Sequence, residues 1–189
     1  MPAKYPQLAK LLQQKSLKRG KFTLASGRVS DYYIDGKLTC FDPEGSKLIV
    51  EAILNEIKDL AVDAVGGMDM GATPIVGSFV NRCGYVGRPL PTFIVRKEVK
   101  AHGTMKLIEG NLPAPCNVVL LDDVVTTGES ILKAVKAVRD KGCKVLLTIS
   151  VLDRNGGARE LMEREGIPYH PLATLEDIGI IPEVSVATS

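Results

Sequence analysis

The sequence predicts an α/β fold with a mostly parallel, twisted sheet flanked by helices. Short apolar runs alternate along the chain with segments of helical periodicity, the pattern of parallel strands joined by helices. Polar clusters follow several of the apolar runs, as they do at the carboxyl ends of such strands. A length of 189 residues, 45% of them hydrophobic and 24% charged, suits a single domain over 1–189 with a substantial core.

The elements of the first half follow from apolar spacing and from capping residues. Asp42 is a helix cap and Pro43 suits a first helical turn. The predicted elements are a helix over 6–19 ended by Gly20, short strands around a turn at residues 26–28, a helix over 43–59, a buried strand in AVDAVGG and a helix over 73–83.

The second half continues the alternation. Its predicted elements are a strand in LPTFIVRKE, a long loop that can include a hairpin, a strand in NVVLLDD, a helix over 130–141 ended by Gly142, a strand in KVLLTISVLDR, a helix over 157–165, and an edge strand with a helical turn in PYHPLATLEDIGI. Four strands end in polar clusters, which are GGMDMGATP, RKEVKAH, DDVVTTGES and DRNGG. We expect these clusters to form a site at one edge of the sheet.

Composition excludes several classes of function. A net charge of +2 indicates no nucleic-acid partner. No apolar run reaches the roughly 20 residues of a membrane span, and the polar start is unlike a signal peptide, so we expect no membrane partner and a cytoplasmic location. Four widely spaced cysteines and two histidines do not suggest a zinc site. Free thiols are favoured over two disulfides, which would require secretion.

The stretch VVLLDDVVTTGES places two acids and a hydroxyl-rich glycine turn where a buried strand ends. A glycine turn that enters a helix presents unpaired backbone N–H groups and the positive end of the helix dipole, so it can bind an anion. Thr126, Thr127 and Ser130 add hydroxyl donors, although a simple helix cap would use the same residue types. Asp122 and Asp123 can accept hydrogen bonds from a sugar diol; the alternative is a pair of solvated surface acids.

This stretch resembles the signature with which type I phosphoribosyltransferases bind 5-phosphoribosyl 1-diphosphate (PRPP). Four further segments resemble, in order, parts of the orotate phosphoribosyltransferase branch of that family: FTLASGRVSDYYID its N-terminal stretch, VGGMDMGATPI its diphosphate loop, FIVRKEVKAHG its mobile catalytic loop and VLDRNGGA its orotate-contacting strand end. The resemblance implies the type I phosphoribosyltransferase fold. It also implies a small hood, made of about residues 1–40 and the C-terminal segment, and a mobile loop at about 97–110.

The resemblance also implies roles for individual residues. Lys97, Lys100, His102 and Asp123 would be catalytic. The PRPP-binding residues would be Arg96, Lys97, Lys100, His102, Asp122, Asp123, Val124, Val125, Thr126, Thr127, Gly128, Glu129 and Ser130. Orotate would contact Thr126 and Arg154, and the base would be framed by Lys21, Ser26, Tyr33 and Ile34. Ala25 and Gly71 depart from relatives that carry lysine at these positions, and His170 is interpreted as structural.

The implied reaction is a Mg²⁺-dependent transfer of phosphoribosyl from PRPP to orotate. Mg²⁺ would be held mainly by the diphosphate and ribose of the substrate, with no dedicated protein cage. The implied assembly is a homodimer whose subunits share their active sites. A purine phosphoribosyltransferase and a non-catalytic PRPP-binding regulator remain alternatives. A Rossmann dehydrogenase is not favoured, because no G-x-G-x-x-G follows the first strand.

Overall fold

The computed structural model describes residues 2–23, 27, 29–98 and 106–181. The helices are α1 (Pro6–Lys15), α2 (Lys37–Cys40), α3 (Pro43–Glu56), α4 (Thr73–Tyr85), α5 (Glu129–Arg139) and α6 (Ala158–Arg164), with a 3₁₀ helix at Glu176–Ile178. The strands are β1 (Leu17–Thr23), β2 (Val29–Ile34), β3 (Ala64–Met68), β4 (Thr92–Val95), β5 (Ile108–Gly110), β6 (Asn117–Val125), β7 (Lys144–Asp153) and β8 (Tyr169–Thr174).

Six strands form the main sheet in the order β5-β4-β3-β6-β7-β8. The short edge strand β5 is antiparallel to β4, and all other neighbours are parallel. This confirms the predicted mostly parallel sheet. After β3 the chain continues to β4 on one side, whereas after β6 it continues to β7 and β8 on the other. The switch point between β3 and β6 opens the crevice where ligands bind in such sheets.

The sheet is buried on both faces, which explains the continuous apolar run in β6. Val119 and Leu121 pack into a core shared with α1, α3 and α4, whereas Val118 and Leu120 face a second core that includes α5 and α6. The alternation follows from the two-residue period of a strand. Helices on both faces therefore hold β6 as a rigid central strand whose carboxyl end reaches the crevice.

Helix α3 begins as predicted. The Asp42 carboxylate accepts hydrogen bonds from the backbone N–H groups of Glu44 and Gly45, at 3.1 and 3.0 Å, and Pro43 lies in the first turn. The helix ends at Glu56, three residues before the predicted end at residue 59.

The prediction that the first helix extends to residue 19 is wrong. Helix α1 ends at Lys15, and the following residues form β1, in which Leu17 pairs with Ile34 of β2. Ser16 is buried, with its hydroxyl 2.7 Å from that of Thr39. Pairing with a strand that is distant along the sequence overrides the local helical pattern. Gly20 lies inside the strand, with a φ of 140° that other residues rarely adopt.

The antiparallel hairpin of β1 and β2 is separate from the main sheet and contacts the C-terminal part of the described chain. The Gln13 side-chain amide donates to the Ile178 carbonyl at 3.1 Å, and the Arg19 guanidinium donates to the Gly179 carbonyl at 3.2 Å. Helix α1 and strand β1 are therefore tied to residues 178–179.

The remaining elements match the sequence expectations closely. The final strand and helical turn are present as β8 and the 3₁₀ helix, and the last three residues of the predicted 97–110 loop form β5. All four cysteines are free thiols, as predicted. Within the part of the chain that the structure describes, no helix is long and apolar enough to cross a membrane.

Candidate active site

Two adjacent acids occupy the carboxyl end of the central strand β6. Asp122 and Asp123 are buried, at 5% and 6% exposure. The Ser130 hydroxyl donates to Asp122 Oδ2 at 2.9 Å, and the Asp123 backbone N–H donates to Asp122 Oδ1 at 3.0 Å. The Asp122 carboxylate is therefore directed toward the turn that follows β6, and it is not a solvated surface acid.

The charge of Asp123 disfavours ionisation of the neighbouring Asp122. Burial, followed by the adjacent Asp123 charge, raises the pKa of Asp122 to about 6. The Lys37 ammonium donates to Asp123 Oδ2 at 2.9 Å, and this hydrogen bond is the main cause that raises the pKa of Lys37. Sequence reasoning missed Lys37, because it lies 86 positions before Asp123 and no local motif marks it.

Gly71 brings the backbone of the loop after β3 directly against the acids. A Cβ atom at this position would lie 2.2 Å from Asp122 Oδ1 and 2.5 Å from Asp123 Oδ1, well inside contact distance. A side chain at this position could not be accommodated without displacing the acids. Gly71 therefore allows the loop after β3 to lie against the acidic pair.

The turn after β6 and the start of α5 border a cavity of about 500 Å³. Gly128 precedes α5 with a φ of 84°, which glycine adopts without strain. The lining residues are Met68, Lys97, Glu98, Val124, Thr126, Thr127, Gly128, Glu129, Ser130 and Lys133. The cavity thus combines a helix N-terminus, three hydroxyl side chains in the turn and two lysines, which together suit a phosphate group, beside the carboxylates of Glu98 and Glu129.

Lys133 is a further cavity residue that the sequence analysis did not predict, although its spacing from Glu129 is a sequence signal for it. Lys133 lies on the exposed side of α5, one helical turn after Glu129, so its side chain reaches the same opening. Val125, unlike Val124, is buried in the core on the α5 side of the sheet. Val125 is one of the PRPP-binding candidates, and because its side chain is buried it can contribute only through its backbone.

The two described basic residues after β4, Arg96 and Lys97, lie in different places. Lys97 lines the cavity, whereas the Arg96 guanidinium lies 3.9 Å from Glu109 Oε1 and donates to the Glu98 carbonyl at 3.4 Å. Arg96 thus lies toward β5 and is not among the residues that line the cavity. Lys100 and His102 lie outside the described residues.

The loop after β7 carries Arg154 next to the turn. The Arg154 backbone N–H donates to the Val125 carbonyl at 2.8 Å, and Gly156 lies so close to Thr126 that a Cβ would be 2.5 Å from its methyl group. The structure therefore brings together the two predicted orotate residues, Thr126 and Arg154. Within the described parts of the chain, the buried Arg154 Nε has no hydrogen-bond partner.

The predicted base-framing residues lie on the β1–β2 hairpin in different environments. Lys21 is exposed, and the Tyr33 ring lies 5.7 Å from the Phe22 ring. Ile34 is buried at 5% exposure in the core shared with α1, α3 and α4. Ser26 lies outside the described residues.

Comparison with known proteins agrees with this geometry. The family model described as phosphoribosyl transferase domain matches residues 43–165. The orotate phosphoribosyltransferase of Aquifex aeolicus is 43% identical over 175 residues, which span 91% of this chain and 96% of the relative.

Solved structures of the Mycobacterium tuberculosis orotate phosphoribosyltransferase are similar across 93% of this chain and 99% of theirs. The complex with Fe(III) dicitrate has a TM-score of 0.84 and 38% identity, and the complex with PRPP has a TM-score of 0.79 and 35% identity. Together with the acidic pair and the turn beside it, these matches show that the chain belongs to the orotate phosphoribosyltransferase family, within the type I phosphoribosyltransferases.

Proposed function

We propose that this chain transfers the phosphoribosyl group of PRPP to N1 of orotate, giving orotidine 5′-phosphate and diphosphate in pyrimidine nucleotide synthesis. The observation that carries the proposal is the arrangement at the switch point. Asp122 accepts a hydrogen bond from the Ser130 hydroxyl. Ser130 and the amino end of α5 together line a cavity of about 500 Å³. Such a site offers acceptors for a sugar diol next to donors for a phosphate.

In this proposal the acids and the turn hold the ribosyl part of PRPP. Asp122 and Asp123 accept hydrogen bonds from the ribose 2′- and 3′-hydroxyls. The 5′-phosphate binds to the residues that follow: the backbone of Val124 and Val125 leads into the turn, and Thr126, Thr127, Gly128, Glu129 and Ser130 form it. Because the positive end of the α5 dipole faces the cavity, this position suits a dianion.

The basic segment stabilises the leaving diphosphate in the same proposal. Lys97 lines the cavity and is the described one of the three catalytic candidates on this segment, the other two being Lys100 and His102. Cations placed where negative charge accumulates lower the barrier to departure. Arg96 would have to leave Glu109 before it could join them. No protein nucleophile is required, since transfer depends on positioning and charge stabilisation.

Arg154 and Thr126 hold orotate. The unpartnered Arg154 Nε supports this role, because a buried guanidinium N–H without an acceptor is costly and a pyrimidine carboxylate would supply one. Lys21, Ser26, Tyr33 and Ile34 remain the proposed frame of the base, with Ile34 acting from the core.

The site also suits Mg²⁺, which prefers oxygen ligands. The described residues contain no group of three or more His, Cys, Asp or Glu side chains that could hold a metal ion. We assign most of the Mg²⁺ ligands to the diphosphate and ribose of PRPP, because their oxygen atoms are the ligand type that this ion prefers. When bound, the ion would neutralise part of the diphosphate charge.

The reaction is tested by following the ultraviolet absorbance of orotate with purified protein, PRPP and Mg²⁺. We expect orotate to be consumed, and adenine, hypoxanthine and xanthine to be unreactive. A wild-type protein that used a purine and not orotate would overturn the proposed base. Asp123→Asn, which keeps the shape of the side chain without its charge, should lower activity with orotate.

We further propose a homodimer with shared active sites, a hood made of about residues 1–40 with the C-terminal segment, and a mobile loop at about 97–110. The exposed Phe41 and Tyr85 side chains, at 68% and 83% exposure, support a dimer interface on the α2–α4 side. Mixing inactive Lys100→Ala and Asp123→Asn chains should restore part of the activity. No restoration would indicate self-contained sites.

A further inference from the structure

Lys37 is anchored at the acidic pair by an unusually close approach of the backbone. Gly36 lies against the end of β6, where a Cβ would be 2.5 Å from Val124 Cγ2 and 3.5 Å from Asp123 Cβ. The Asp35 carboxylate accepts from the Lys37 backbone N–H at 3.1 Å and so fixes the start of α2. Because the Lys37 backbone is held on both sides, its ammonium reaches Asp123 Oδ2 at 2.9 Å.

The ion pair between Lys37 and Asp123 is less exposed to solvent than a surface pair, so it restrains Asp123 more strongly. The Asp123 side chain is 9% exposed and lies beside a second buried carboxylate, whereas the Lys37 side chain is 43% exposed. Asp122 is already held by Ser130 and by the Asp123 backbone N–H. Lys37 supplies the corresponding restraint for Asp123, and removing it would leave a buried carboxylate facing a like charge.

We propose that Lys37 is a positioning residue for PRPP, which holds the Asp123 carboxylate in the orientation that accepts the ribose hydroxyls. The inference rests on the proposed ribose-binding function of the acidic pair. It adds a residue that no motif of the sequence indicated. A purely structural ion pair would contribute to folding stability and leave the affinity for PRPP unchanged.

The chain provides a matched control in Lys15. Lys15 forms an ion pair with Asp42, the cap of α3, and its side chain is 41% exposed, close to the value for Lys37. Neither Lys15 nor Asp42 is among the residues that line the cavity beside the acidic pair. Lys15→Met therefore removes an ion pair whose lysine is of similar exposure and leaves the residues of the proposed site unchanged.

The test measures PRPP affinity by titration calorimetry with Mg²⁺, together with thermal unfolding, for Lys37→Met, Lys37→Arg and Lys15→Met. We expect Lys37→Met to weaken PRPP binding about tenfold, as for the loss of a charged hydrogen bond, and Lys37→Arg to restore most of it. Lys15→Met should leave PRPP affinity within about twofold of wild type. If Lys37→Met unfolds, Lys37→Gln replaces it.

Asp123→Asn and the double variant Lys37→Met/Asp123→Asn separate this inference from the proposed function. If Lys37 acts through Asp123, Lys37→Met causes no further loss of affinity in the Asp123→Asn background. Unchanged affinity in Lys37→Met, or an equal loss in Lys15→Met, would overturn the role of Lys37 alone. Unchanged affinity in Asp123→Asn would instead overturn ribose binding by the acidic pair.

Discussion

The Asp122 and Glu56 carboxylates lie toward opposite ends of the strands, and their pKa values are shifted in opposite directions. Glu56 ends α3 and accepts hydrogen bonds from the Tyr5 hydroxyl at 2.6 Å, the Lys4 ammonium at 2.6 Å and His170 Nδ1 at 3.2 Å. Although burial alone would raise the pKa of Glu56, these three partners together lower it. For Asp122, burial and the neighbouring charge raise the pKa to about 6.

These opposite pKa shifts distinguish Glu56, a structural acid, from Asp122, an acid suited to binding a ligand. Glu56 ties the N-terminal segment and β8 to α3, so its charge is satisfied inside the protein, and His170 has the structural place expected from the sequence. Asp122 has a like charge beside it, and its hydrogen-bond donor Ser130 lines the cavity. Carboxylates that remain costly in the free protein are typical of functional sites, since a ligand can remove the cost.

The largest effect is expected from Gly71→Ala, which tests whether the acidic pair must keep its position. The added Cβ would meet both carboxylates at 2.2 and 2.5 Å. Because displacing substrate-binding groups by about 1 Å costs about a hundredfold, kcat/KM for PRPP should fall by about that factor. Steady-state kinetics with orotate in excess measure this change.

Gly84→Ala is the matched control for that substitution. Gly84 lies in α4, where an added Cβ meets nothing within 4 Å. It should leave kcat/KM unchanged and raise stability by about 0.5–1 kcal/mol, the difference in helix propensity. Equal activities of the two alanine variants would show that the loop after β3 tolerates movement of the acids.

A smaller effect is expected on stability from Asp122→Asn. Since the pKa of Asp122 is raised from 3.8 to about 6, its contribution to stability is fully present below pH 3.8 and is lost as pH rises through about 6. An amide carries no such cost, so the variant should be more stable than wild type by about 2 kcal/mol at pH 7.

Urea unfolding between pH 4 and 7, without PRPP or Mg²⁺, measures this gain. The gain should shrink as pH falls toward 4, while activity at pH 7 is strongly reduced. A variant less stable than wild type at pH 7 would show that Asp122 is a structural acid like Glu56.

The smallest effect, of opposite sign, is expected from Glu56→Gln. A lowered pKa means that the carboxylate stabilises the fold above its ordinary value of 4.5, and that this contribution is lost as pH falls through the lower folded pKa. The variant should be less stable by about 1 kcal/mol at pH 7 and should approach wild type as pH falls through the lowered pKa of Glu56.

Glu51→Gln controls for the loss of an acid from the same helix. Glu51 is 3.8 Å from Arg82 and 41% exposed, so its removal should change stability by less than about 0.5 kcal/mol. If both variants behaved alike, the three partners of Glu56 would contribute nothing measurable.

Sequence patterns predicted most of the strands and indicated the centre of the candidate site, because both depend on local signals. Asp122, Asp123 and the turn to Ser130 are contiguous, and the apolar run before them indicates a buried strand. Residues supplied by distant elements carry no such signal. Lys37 reaches Asp123 only through the packing of Gly36 on β6, and the end of α1 depends on the pairing of Leu17 with Ile34.

The pairing of β3 with β6 has a consequence for how the protein is made. Ala64 lies beside Val118, so the crevice joins stretches that leave the ribosome more than fifty residues apart. The cavity is lined both by Met68 at the end of β3 and by the turn after β6, so it is complete only after translation has passed that turn. Metabolite levels can therefore protect the finished enzyme against unfolding and degradation, but not its early nascent chain.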